Sequence, residues 1–222
     1  MAGIKYRTIK ELTLRHKNNP SELPLFNETL SKLAEHGFSI DIGTLPGFLK
    51  DNPLFLSYCE KIDEALKEHN TILVIVDDPT LIWSLHKYFT ILYSLNNAKG
   101  ESVYRISLKH LIDNLLERDT SSEIPAKLNK NLIMISNLLS GDNRIASMAP
   151  SIEGILDPLI FSRKVIFTAH SVKTTKAQIR EDIMYKLCNF YSPTFEQTFN
   201  LKVAPVIIQT GVSKKSLWED LK

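Results

Sequence analysis

A chain of 222 residues, 43% hydrophobic and 23% charged, is long enough to bury a real core and is balanced like an ordinary globular protein. Its net charge of +2 excludes both a cation-coated surface for nucleic acid and an acidic mimic, so any basic patch has to be local. Cys59 and Cys188 are too few and too far apart for a disulfide framework or a metal site, and read as reduced structural thiols. No apolar run approaches the ~20 residues of a membrane span. The start, Met-Ala-Gly-Ile-Lys-Tyr-Arg, lacks the pattern of a signal peptide, so a cytoplasmic protein is expected.

Residues 1–70 differ in texture from the rest. Helical periodicity falls at Tyr6–His16 and Leu25–His36, before Gly37, Gly43, Pro46, Gly47 and Pro53 interrupt it. A further helix is expected over Leu54–His69, with Leu56, Cys59, Ile62 and Leu66 on one stripe. This region is assigned to an N-terminal helical appendage, 1–70, leading into a main domain, 71–222. Lys5, Arg7, Lys10, Arg15 and Lys17 crowd around Tyr6, as a solvated helix face or as an arm for phosphate or a partner.

From Thr71 strands and helices alternate. Thr71–Val76 is an unbroken apolar run of the kind buried on both faces of a parallel sheet. Asp77-Asp78-Pro79-Thr80 follows, able to cap a helix that runs to about Leu95 and buries Leu81, Leu85, Tyr88, Leu92 and Leu95. Ser102–Ile106 is a second strand, and Ser107 caps a helix through Glu117. Asn131–Asn137 contains the third strand, expected at the centre of the sheet. A helix to Ser162, a strand over Lys164–Thr168, a helix over Thr174–Phe190 and a strand over Val203–Gln209 complete the order. Such alternation implies a mostly parallel sheet covered on both faces.

A phosphate-binding loop needs glycines whose backbone N–H groups close around phosphates, with a Lys and a Ser/Thr for charge and Mg²⁺. The turn after the first strand has neither glycine nor lysine, and Asp77 and Asp78 would repel a triphosphate. At the end of the third strand, where phosphate-binding α/β proteins carry acids for Mg²⁺, stand Ser136 and Asn137.

The order of the pieces nevertheless resembles the bacterial replicative-helicase loaders and transposase-accessory ATPases of the AAA+ group. Val103–Ile112 is similar to their second strand and helix, and Leu132–Leu138 to their Walker B strand, with Ser136 and Asn137 replacing the acidic pair. Ile155–Arg163 resembles the helix before their sensor strand, and Val165–Ser171 that strand, with His170 at the sensor asparagine. Val206–Lys214 is similar to their terminal strand and its Gly-x-Ser-x-Arg ending, Lys214 or Lys215 standing for the arginine. The resemblance spans roughly 71–215. It implies a three-layer P-loop NTPase-like (AAA+/RecA-like) α/β fold with a parallel five-stranded sheet. It further implies a module without ATPase activity or cofactor, at work in DNA replication or mobile-element maintenance. Its expected partner is a helicase, a loader or another AAA+ subunit, in a homo- or hetero-oligomer; the alternative is an ATPase-dead subunit that binds DNA in recombination or repair.

The remaining candidates carry two readings each. Asp77 and Asp78 suit a catalytic or metal site at a strand end, but with no second ligand cluster helix capping is favoured. His170 reads as structural or as a general base, while His86 and His110 read as helix-face residues. Arg163 matches the position of the family's intersubunit arginine and is expected in a salt bridge or a partner contact. Lys173, Lys176 and Arg180 are expected on one helix face, solvated or, with Lys214 and Lys215, as a local basic surface. Trp218 anchors an amphipathic tail that packs back or docks a partner.

Overall fold

The structure, a computed structural model, describes residues 53–96, 103–117, 124–140 and 142–210. The expected helices at 6–16 and 25–36, the early basic cluster, and Lys214, Lys215 and Trp218 lie outside them. The described elements are α1 (Pro53–Glu68), β1 (Thr71–Val76), α2 (Pro79–Asn96), β2 (Val103–Ser107), α3 (Leu108–Leu116) and α4 (Ile124–Lys127). They continue with β3 (Leu132–Ser136), α5 (Arg144–Ser162), β4 (Lys164–His170), α6 (Lys176–Phe190), α7 (Pro193–Lys202) and β5 (Ala204–Ile208).

All five strands are parallel, in the order β2-β3-β4-β1-β5. Every residue of β1 is buried, which is why its sequence shows no polar alternation. Its side chains still alternate between two cores. Leu73 and Ile75 join Ile133 and Ile135 of β3 and Val165 and Phe167 of β4, under α3, α5, α6 and α7. Ile72, Val74 and Val76 join Leu132, Met134 and Ile166, under α1 and α2. One parallel five-stranded sheet between two helical layers makes this a three-layer α/β fold. β3 is interior but not central: the middle place belongs to β4, because β1 pairs with β4 rather than with β3.

Of the expected α1 stripe, Cys59, Ile62 and Leu66 are buried and joined by Phe55, while the side chain of Leu56 is not described. This helix packs into the core beside β1 and β5. Tyr58 Oη and Lys61 Nζ donate to the carbonyls of Gln209 and Ile207. α2 buries a stripe of Ile82, Leu85, Tyr88, Phe89 and Leu92, whereas Leu81 is only half-buried and the side chain of Leu95 is not described. α5 tolerates Pro150 and Pro158 in its interior. Each removes a backbone hydrogen bond, but the buried Ile145, Ile152 and Leu156 hold the helix on the sheet.

α7 is absent from the sequence expectation, although its start is written there. Ser192 caps it, accepting from the Phe195 N–H, and Pro193 occupies its first turn. Glu153 of α5 accepts from both N–H and Oγ of Ser192, pinning the helix start to its neighbour. From there Tyr191, Phe195 and Phe199 run ring to ring into Phe167 of the central strand.

Two substitutions measure this core. Phe167→Ala empties a fully buried site and is expected to cost about 3–5 kcal/mol in urea unfolding. Ser192→Ala, which removes one cap, is expected to cost about 1–2 kcal/mol. Equal effects would overturn the central role given to β4.

Candidate functional site

Ligands of open α/β sheets sit at the carboxyl ends of the strands, where successive connections leave to opposite faces. Here α2 leaves β1 toward one face, and α6 with α7 leaves β4 toward the other. β1 and β4 are neighbours, with Val76 opposite His170, so the switch point lies between them. Only Asp77 and Asp78 separate β1 from α2.

Side chains and backbone close this crevice. Ser171 N–H donates to the Val76 carbonyl at 3.0 Å, and His170 Nε2 lies 3.1 Å from the Asp77 carbonyl, which requires the ring proton on Nε2. The Asp77 carboxylate accepts from Thr210 N–H at 2.9 and 3.1 Å, while Thr210 Oγ1 lies 3.1 Å from each of its oxygens. Asp78 caps α2: its Oδ1 accepts from Thr80 N–H at 2.9 Å and Thr80 Oγ1 at 2.8 Å. With Pro79 lacking an N–H and that of Thr80 taken, the start of α2 has lost two of the donors an anion would use.

Ser136 and Asn137 belong to a different place. Ser136 pairs with Ser107 across β2 and β3, and Asn137 takes φ 59°, a left-handed turn that asparagine tolerates. Both line a hollow of about 610 Å³ between the ends of β2 and β3 and the starts of α2 and α3. Arg105, Ser107, His110, Trp83 and His86 line it too, and among the described residues no Asp or Glu does. Ser107 caps α3 as expected, accepting from the His110 N–H, and its Oγ lies 2.9 Å from His110 Nδ1.

His86 is a correction to the sequence reading. It is only 3% exposed, not a helix-face residue, and its Nε2 has no hydrogen-bond partner. The signal was present in the chain: Ile82, His86 and Phe89 share one helical stripe. Burial, and behind it the Arg105 charge, pushes His86 down to about 3 from the usual 6.5. Thr210 and Arg105 also escaped the sequence reading, the first because only the β1–β5 pairing brings it to Asp77.

The other candidates scatter. Arg163 follows α5 at the opposite end of β4 from His170, about 20 Å away at strand spacing, and its Nη2 donates to Asn129 Oδ1. Lys173 lies in the loop before α6, not on a shared helix face, because that helix begins only at Lys176 after its Thr175 cap. Lys176 and Arg180 are exposed and one turn apart on α6. Among the described residues no group of three or more His, Cys, Asp or Glu is placed for a metal ion. No described helix is long and apolar enough to cross a membrane.

Two measurements check this geometry. Asp77→Ala should destabilise the fold by about 1–3 kcal/mol in urea and Thr210→Val by less, since valine keeps the backbone N–H bond, and the two together should cost little more than Asp77→Ala alone. Simple addition would mean that the two do not act as a pair. For His86, a group neutral when folded and protonated when unfolded supports the fold fully above about pH 6.5. That support is lost as the pH falls toward 3. Between pH 6 and 4 the chain should lose up to about 1.4 kcal/mol per pH unit more than His86→Phe; parallel pH profiles would refute it.

No protein-family model and no curated protein sequence matches this chain. Among solved structures its fold is similar to AMPPCP-bound DnaA from Aquifex aeolicus, with a TM-score of 0.48 at 14% identity over 81% of this chain and 50% of that one. It is also similar to the DnaC helicase loader, with a TM-score of 0.44 at 17% identity over 69% of this chain and 86% of that one. The chain thus spans about half the length of the DnaA structure it matches. Both are likenesses of fold.

Proposed function

We propose that this chain is a non-catalytic, AAA+-like binding module that works through its surfaces, in DNA replication or the maintenance of a mobile element. The observation that carries the reading is the two-residue connection between β1 and α2. A loop that cradles phosphates needs several flexible residues with free N–H groups between strand and helix. Here both residues are aspartates, one committed to Thr210 and the other to the cap of α2. His170, at the sensor position of the resemblance, is spent on the Asp77 carbonyl. The residues present do not fit a nucleoside triphosphate at the switch point.

Its partner is a helicase, a helicase loader or another AAA+ subunit, the setting that the sequence resemblance implies. Large apolar side chains left at the surface support contact with a protein: Phe161, Tyr185 and Leu201 (82% exposed) all lie on the α5–α7 layer. Exposed Lys173, Lys176 and Arg180 favour the second reading, an ATPase-dead subunit that holds DNA.

Purified chain with ATP and Mg²⁺ should release phosphate no faster than buffer, while retaining the replicative helicase or an AAA+ subunit from the same source in a pull-down. Phosphate release abolished by Asp77→Ala would overturn the reading. DNA affinity falling steeply with salt, with the slope reduced by about 3 on charge reversal at Lys173, Lys176 and Arg180, would move the choice to the DNA-binding subunit.

A further inference from the structure

The hollow beyond β2 and β3 lies outside the closed switch point, and its chemistry is different. Three observations there point to a ligand. The imidazole of His86 is buried beneath the hollow, lines it, and leaves Nε2 without a partner. A buried polar nitrogen in that state is costly unless something entering from outside meets it. The second observation is charge: half-buried Arg105 lines the wall, and α3 directs its N-terminal, positive end there through Ser107 and His110, with no carboxylate among the described lining residues. The third is shape. About 610 Å³ suits a small molecule, and the half-exposed indole of Trp83, 52% open to solvent, offers a flat apolar wall.

We propose that this hollow binds a small planar anion of nucleoside-monophosphate chemistry. Its ring lies against Trp83 and reaches His86 Nε2 with a polar edge atom; its acidic group is held by Arg105 and the start of α3. Because none of the described residues lining the wall is a carboxylate, the ligand binds without a divalent cation. A triphosphate at the β1 turn is a separate matter, so this site stands whether or not the chain hydrolyses ATP.

The probe is AMP, titrated into the full chain by calorimetry and by quenching of tryptophan fluorescence. A dissociation constant between about 10 µM and 1 mM is expected without Mg²⁺. Adenosine alone and inorganic phosphate alone should each bind at least about tenfold more weakly, since each lacks one half of the ligand. His86→Phe should weaken AMP about tenfold. Trp83→Ala, at a position too exposed to threaten folding, should do the same and remove the quenching. Arg163→Ala, at the opposite end of β4, should leave the affinity unchanged. No binding of AMP up to about 5 mM would overturn the proposal. So would affinity untouched by both His86→Phe and Trp83→Ala, affinity lost in Arg163→Ala alone, or binding confined to oligonucleotides.

Discussion

The bond network at the end of β1 is the constraint on which the rest of the carboxyl edge depends. Asp77 reaches across to Thr210 beyond β5, and His170 reaches back from β4 to the Asp77 carbonyl, so three adjacent strands are fastened at one point. A carboxylate that accepts from a backbone N–H and a hydroxyl together has its charge spread over fixed donors. The place where an open α/β sheet would admit a ligand is thereby filled by the protein's own polar groups.

That closure relies on how little chain lies between β1 and α2. Two residues leave no slack, so α2 must start at once and its cap must come from the turn itself. Asp78 supplies that cap. The connection on the other side of the sheet is looser: after β3 the chain turns at Asn137 and returns to β4, Leu138 N–H donating to the Thr168 carbonyl at 3.2 Å. The open space of the carboxyl edge has moved with it, from the switch point to the ends of β2 and β3.

The charged contacts at the surface matter less than this buried geometry. Arg144 bridges Asp142 and Asp113 at 2.7 Å each, joining the start of α5 to α3, and its guanidinium holds Asp142 down to about 2. Its side chain remains 40% exposed, so the pair orients two helices more than it stabilises them. The weight falls on apolar burial across both sheet faces, with the aromatic run from Tyr191 to Phe167 on one side and Phe55, Tyr88 and Phe89 on the other.

The five strands, helices α1, α2, α3, α5 and α6, the Ser107 cap and the lack of a glycine turn after β1 were legible in the sequence, because each is a local pattern of burial or backbone chemistry. The Ser192-Pro193 cap was equally local and simply went unread, and with it α7. Strand order was not legible. β1, β3 and β4 are apolar on both faces, so none of them declares which neighbour it takes, and β4 rather than β3 proved central. Only the folded chain brings Thr210 to Asp77, sets Arg163 at the far end of β4 from His170, and seats His86 beside Arg105, since these contacts join residues that sequence spacing does not relate. Local periodicity fixes which face of a helix is buried; what that face meets is decided by how the sheet is threaded.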